Sequence, residues 1–197
     1  MEVEPIRKME DVKRMYQWLK ENKTPREAEC FLIGCNIALR AGDLLSLRFE
    51  QFDNDQEEVV IKEQKSGFRK EIPVLDVVKD SVSRLRDYYA SKNFDPTYLF
   101  QSTSNRTKNM CQPICIQWLG KTFKDAEIGL NLGYNINTHS MRKTWGYQSY
   151  STGTDIAYIQ ALLNHREQYT TLRYIGVTKD SIKKLLHTNQ MDIASTN

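Results

Sequence analysis

Absences narrow the field before any motif does. No apolar run approaches the length needed to span a bilayer, and the N-terminus MEVEPIRKME lacks the apolar stretch of a secretory signal. The expected compartment is the cytoplasm, with no membrane partner. The chain holds only three histidines and four cysteines. Cys30, Cys35, Cys111 and Cys115 match no zinc-finger or redox spacing, and no histidine lies near either pair. They read as small buried apolar groups in a reducing compartment. No repeat, low-complexity segment or Pro/Gly/Ser-rich linker divides the chain. Neither sign of charge dominates: 28 Lys and Arg stand against 25 Asp and Glu, a net charge of +3. That balance permits a nucleic-acid partner without demanding one, so phosphate contacts must come from local clusters.

What is present suits one domain. A length of 197 residues, 40% hydrophobic and 27% charged, is enough for a proper core. Apolar residues at helical spacing predict a helix over 11–22. The next helix has a marked start, with Thr24 as N-cap, Pro25 in the first turn and Glu27 completing a capping box. It runs through FLIGCNIAL to about Leu39, apolar on most sides and therefore central. Ala41-Gly42 breaks it, and a short helix over 43–47 follows. The period then changes: Val59-Val60-Ile61 and the segment 68–74 read as strands joined at Ser66-Gly67, with Lys62, Lys65, Arg69 and Lys70 crowding the hairpin. An amphipathic helix is expected over 76–91 and a short strand over 98–100. Pro113 opens the next helix, with Ile116, Leu119 and Phe123 inward.

The chemistry-bearing stretch is 138–176. Thr138 caps a helix carrying His139 and Arg142 in its first turn, and Gly153 ends it. Thr154 or Asp155 starts another, with Ile156, Ile159, Leu162 and Leu163 inward. His165 follows, and a short helix over 169–175 carries Tyr174. Thr178 caps a last amphipathic helix ending near His187. Imidazoles, a guanidinium and a phenol are what is needed to hold a phosphodiester and attack it. A phenol needs a base or a cationic setting to become a nucleophile. Paired guanidinium donors suit the extra charge on a pentavalent phosphorus, and the leaving 5′-oxygen needs a proton from a lysine or imidazolium. Arg40, directly after FLIGCNIAL, is a second arginine aimed from a buried element towards a cleft. Asp43, three residues on, could orient a cation. No cofactor or metal is required.

Together these residues resemble the tyrosine recombinase (phage integrase) family. LRAGDLLSLRFEQFD is similar to its first arginine box and QKSGFRKEIPV to its hairpin, with Lys65 eight residues before Pro73. THSMRKTWG and ALLNHREQYTTLRYIG are similar to its second box. The match covers roughly residues 24–187. The resemblance implies a mainly α fold with a small antiparallel β-sheet (α+β), similar to the type IB topoisomerase core. It implies that Arg40 and Arg142 clamp the scissile phosphate and that Lys65 is the general acid. His139 and His165 would bind the phosphate and assist proton transfer, Asp43 would support the pocket, and Tyr174 would form a 3′-phosphotyrosine with double-stranded DNA. It also implies self-association as a tetramer on paired DNA sites through the C-terminal helix. The expected layout is a helical lead-in over 1–23, a catalytic core over 24–176, and a C-terminal helix and tail over 177–197. No separate N-terminal core-binding domain is expected. The start at Met1 favours a natural short form, such as the fimbrial phase-variation recombinases, over a catalytic fragment. Where the family usually has Gly before the second histidine, this chain has Asn164, which also tolerates a left-handed backbone.

Each residue has a plainer reading. Arg40 could satisfy a helix C-terminus, Lys65 could be one more exposed turn lysine, His139 and His165 could be helix-end histidines, and Tyr174 could be packing. The segment 154–174 could be a helix-turn-helix of a DNA-binding regulator without catalysis, but that leaves Arg40, Asp43, Lys65 and the His139/Arg142 pair unexplained. A type IB topoisomerase-like nicking-closing enzyme would use much the same residues. Chain size and the LLNH-to-Tyr174 spacing favour the recombinase.

Overall fold

The most apolar helix is the centre of the fold. The computed structural model describes residues 2–53, 56–105 and 110–177, with the isolated positions 183, 187 and 188. Most of the helix expected to end near His187, with its role in self-association, lies outside the described residues; positions 183, 187 and 188 are helical and exposed. Among them, α2 (Pro25–Ile37) follows α1 (Met9–Asn22) and packs against α1, α4 (Asp76–Ala90) and α6 (His139–Ser151). It buries Ala28, Cys30, Phe31, Ile33 and Ile37. Each large apolar side chain of this kind contributes about 1.5–3 kcal/mol on burial. Phe31 meets Phe123 of α5 (Ile116–Gly129) edge to face, ring centroids 5.6 Å apart.

Three further α-helices are α3 (Ala41–Leu45), α7 (Ile156–Leu162) and α8 (Gln168–Tyr174), and a short 3-10 helix covers Phe49–Phe52. The one described sheet is a hairpin, β1 (Glu58–Lys62) antiparallel to β2 (Arg69–Pro73), with Val60 opposite Glu71. Gly67 turns it at φ 68°. The main core lies between α1, α2, α4, α5 and the hairpin. A second small core of Ala38, Ile159, Leu163 and Ile175 sits under α7 and α8. The architecture is the mainly α fold with a small antiparallel sheet that the sequence implies.

Polar groups brace the core. Glu29 of α2 accepts hydrogen bonds from Tyr16 of α1 and from Ser81 and Arg84 of α4. Burial, then the neighbouring Glu29, raises the Tyr16 phenol to about 12. The N-terminal strap, residues 2–7, laces onto α6. Ile6 N donates to Thr144 Oγ1 at 2.8 Å, Lys143 Nζ to the Val3 carbonyl at 2.8 Å and Gln148 Nε2 to the Arg7 carbonyl at 2.8 Å. The lead-in is thus part strap and part helix.

Several local expectations are corrected. α2 ends at Ile37, because Ala38 takes a left-handed φ of 51°. Ala41 and Gly42, expected as the break, open α3 instead. The capping box at Thr24 is not reciprocal: the Thr24 hydroxyl donates to the Glu27 carboxylate, which also takes Arg26 and Trp118. Segment 98–100 is not a strand. Tyr98 and Gln101 make isolated bridges with Arg48 and Pro113, and Pro113, held there, does not open α5. Ile116 and Leu162 are exposed rather than inward. Thr138 already has helical backbone and caps nothing. The Asn137 carbonyl accepts from Ser140 N at 2.8 Å in its place. Cys30 is buried and Cys35 partly so, but Cys111 and Cys115 are exposed.

Gly34 sets how closely α2 approaches α6. A Cβ there would lie 2.4 Å from Met141 Sδ, 2.9 Å from Leu44 Cδ2 and 3.2 Å from Met141 Cβ. Gly34→Ala is expected to cost about 1–3 kcal/mol of stability through overpacking, read by denaturant titration. It should also disturb Arg142, which immediately follows Met141. A variant as stable as the parent would contradict this close approach.

Candidate active site

The ends of six elements meet at one place: α2 and α3, the hairpin turn, the N-terminus of α6, the C-terminus of α7 and the C-terminus of α8. The left-handed Ala38 turns the chain so that Arg40 becomes the N-cap of α3. This corrects its expected place at the end of the apolar helix. Strand alternation sets the hairpin's inner face. Val59 and Ile61 point inward, and Glu63, two residues further, keeps that phase and is 1% exposed. Lys70 sits opposite Ile61 on the same face.

Arg142 holds the site together. Its Nη1 donates to the Ala38 carbonyl at 2.6 Å and its Nη2 to the Leu163 carbonyl at 2.7 Å. It therefore pins both the turn before Arg40 and the turn before His165. Arg40 Nη1 lies 2.5 Å from Glu63 Oε2, and Lys70 Nζ lies 3.1 Å from Glu63 Oε1. Lys70 also donates to the Leu162 carbonyl. These Arg40 and Lys70 contacts are close ion pairs whose Arg40 Nη1 and Glu63 Oε1 atoms lack hydrogen-bond alignment. Burial alone would raise the Glu63 carboxyl. The Ser66 hydroxyl at 2.5 Å, Arg40 and Lys70 outweigh it and hold the group down at about 2. Asp43 is buried and accepts the Gln64 N–H at 2.8 Å. Its carboxylate therefore fastens α3 to the hairpin beside Lys65, and the carboxylate on Arg40 is Glu63.

The two histidines and Tyr174 border these cations. The backbone turns at Asn164, φ 50°, as a helix end before His165 requires. His165 Nδ1 is 3.1 Å from Thr171 Oγ1, and its ring meets Tyr174 edge to face with centroids 5.0 Å apart. Lys143 Nζ lies 5.1 Å from the Tyr174 ring centroid. Ile175 approaches α6 because Gly146 has no side chain: a Cβ there would be 2.6 Å from Ile175 Cγ2. Burial raises the Tyr174 phenol above its usual value, while Arg142 and Arg40 pull against that rise. Burial, then Lys143, Arg142, Arg40 and Lys65, lowers His139. Burial, then Arg142, Arg40 and Lys70, lowers His165. Lys65 is exposed at the hairpin turn, and its charge reaches His139.

The structure thus gathers Arg40, Asp43, His139, Arg142, His165 and Tyr174, with Lys65 at the rim. The sequence reading missed Glu63 and Lys70. Their signal is the strand alternation itself, which puts two opposite charges on an inward face. Lys143 was missed because nothing in the sequence places it against Tyr174.

The two lowered histidines fix a sign. An unfolded histidine takes up a proton near pH 6.5, and these bind it only at lower pH in the folded chain. Unfolding therefore takes up protons in that window, and stability is expected to fall as pH drops from about 7 through about 6.5 towards the folded values. Denaturant melts at about pH 7.5 and about pH 5.5 measure it, and His165→Gln should shrink the difference. Equal or greater stability at the lower pH would contradict the assignment.

Comparisons with known proteins place the whole chain. The sequence matches the phage integrase family over residues 8–181. It is 32% identical over 181 residues to the "Probable integrase/recombinase YoeC" of Bacillus subtilis (strain 168), covering 92% of this chain and 93% of that protein. It is 24% identical over 161 residues to "Tyrosine recombinase XerA" of Pyrococcus horikoshii, covering 82% of this chain but only 54% of that protein. The crystal structure of XerA recombinase superposes with a TM-score of 0.72 at 18% identity, over 97% of this chain and 66% of that one. The chain belongs to the phage integrase family, the tyrosine recombinases that cleave and rejoin DNA.

Proposed function

We propose that this chain is a site-specific recombinase whose nucleophile is Tyr174. The Tyr174 oxygen attacks the scissile phosphorus, and the phenol proton passes to a neutral imidazole of His139 or His165. The P–O5′ bond breaks, the 5′-oxygen takes a proton from the Lys65 ammonium, and the 3′-phosphate stays on Tyr174. Arg40 and Arg142 hold the non-bridging oxygens as charge builds on them. Attack by the 5′-hydroxyl of a second strand reverses the steps, so the phosphotyrosine conserves the bond energy needed for rejoining.

One observation carries this reading. Tyr174 packs on the His165 ring at 5.0 Å, in a pocket where two guanidiniums favour its ionised form. Arg40 and the hairpin reach the same pocket from segments more than 100 residues upstream in sequence. A helix-turn-helix regulator has no use for that convergence.

Residues 24–176 form a single catalytic core in this reading, and the protein acts on double-stranded DNA in the cytoplasm. Self-association as a tetramer on paired sites uses the segment after Val177. The test is incubation with nicked duplex followed by denaturation. An enzyme gives a protein band shifted by a covalently attached strand, with or without EDTA. A regulator gives none, and an adduct that forms only with added divalent metal would overturn the mechanism.

A further inference from the structure

We propose that Glu63 is a positioning residue for strand cleavage. It holds Arg40 at the phosphate site and fastens the turn that presents Lys65 to the same point. This rests on the roles given above to Arg40 and Lys65.

The observations converge on one carboxylate. Glu63 is 1% exposed at the inner edge of the hairpin, where Val59 and Ile61 set an apolar phase. A charge kept there without a partner would be strongly destabilising. It has partners, and they belong to the site. Arg40 Nη1 is 2.5 Å from Oε2 and Lys70 Nζ is 3.1 Å from Oε1. The Ser66 hydroxyl donates to Oε2 at 2.5 Å, and Ser66 is next to Lys65 in the chain. The Glu63 backbone closes the same turn, its N–H donating to the Phe68 carbonyl at 2.9 Å and its carbonyl accepting from Gly67 at 2.8 Å. A single side chain thus links the residue that grips phosphate to the turn that carries the proton donor.

The pairing leaves Arg40 free to work. A guanidinium has five N–H donors, and the ion pair with Glu63 engages Arg40 through Nη1. The remaining donors are available to a phosphate oxygen, and the ion pair fixes the plane in which they point. The cations Arg40, Lys70 and Arg142 outnumber the carboxylates Glu63 and Asp43, so the pocket still attracts a phosphodiester.

The test separates the two links by the chemistry of the leaving group. Single-turnover cleavage is measured at saturating DNA on an ordinary nicked substrate and on one with sulfur at the 5′-bridging position. The sulfur leaves as thiolate and needs no proton, so a misplaced Lys65 costs nothing there, whereas a misplaced Arg40 still does. Glu63→Gln keeps the shape and removes the charge. It should slow cleavage of ordinary DNA about 10–100-fold, in the range seen when a group supporting a reactive residue is lost. The loss should be smaller, but still present, on the sulfur substrate, with DNA affinity little changed. Ser66→Ala, which leaves the Arg40 pair in place, should show a milder loss confined to ordinary DNA. Equal losses on both substrates would leave only the link to Arg40 and overturn the proposed hold on Lys65, and wild-type rates would remove its role altogether. Tyr174→Phe is run alongside. If it still forms adduct, the nucleophile is misassigned; if it is inert while Glu63→Gln cleaves normally, only the present inference fails.

Discussion

Tyr174→Phe is expected to abolish covalent adduct on a nicked suicide substrate while leaving DNA affinity nearly intact. The substitution removes one oxygen and keeps the ring. That ring packs edge to face on His165, lies under Lys143 and contacts the small core of Ala38, Ile159, Leu163 and Ile175. Phenylalanine preserves these contacts, so stability should change by less than about 1 kcal/mol. Activity has no such substitute, because in the proposed mechanism the Tyr174 oxygen is the atom that bonds phosphorus. The expected signature is therefore a folded, DNA-binding protein that makes no adduct. Normal adduct yield would show that another group is the nucleophile.

Arg142→Ala should be nearly as damaging and less clean. The side chain gives the proposed phosphate site a charge and, at 2.6 and 2.7 Å, pins the carbonyls of Ala38 and Leu163. Its loss should cost about 3 kcal/mol or more of transition-state stabilisation, roughly a 10²–10³-fold slower cleavage. The two freed carbonyls should also lower stability, by about 1–3 kcal/mol each where they stay buried and unpaired. Arg142→Lys separates the effects. A lysine restores the charge but cannot span both carbonyls and a phosphate oxygen with one planar fork. It should recover stability in part and cleavage hardly at all. Cleavage at the parental rate in either variant would remove Arg142 from the phosphate clamp. Arg40→Ala should also cost several kcal/mol in cleavage. It leaves Glu63 with Lys70 and Ser66, so its effect on the fold should be smaller than that of Arg142→Ala.

Much of this site was legible because its residues fall in ordered boxes. Arg40 and Asp43, His139 and Arg142, and His165 and Tyr174 sit at spacings that helix ends impose, and each pair stays local wherever the rest of the chain goes. The helices over 11–22, 76–91 and 138–153 were readable from apolar period and punctuation. Ala38 was not, because alanine carries no mark of a left-handed backbone; tertiary contacts decide it there. Glu63 and Lys70 were hidden by composition. In a hairpin crowded with charge, only the inward phase of Val59 and Ile61 distinguishes a buried ion pair from solvated side chains. The strap over residues 2–7 has no period to read, and its bonds to α6 span some 140 positions. Exposure of Cys111 and Cys115 follows from the bridge at Pro113, which delays α5.

The most direct test of the mechanism is the identity of the residue attached to DNA. Arg173 separates the two tyrosines of this region, so trypsin places Tyr174 on the peptide YIGVTK and Tyr169 on EQYTTLR. Covalent complex formed on a nicked duplex is digested with nuclease and trypsin and analysed by mass spectrometry. The expected result is YIGVTK carrying a 3′-linked nucleotide on Tyr174. A nucleotide on EQYTTLR, on another peptide, or on none at all would contradict it.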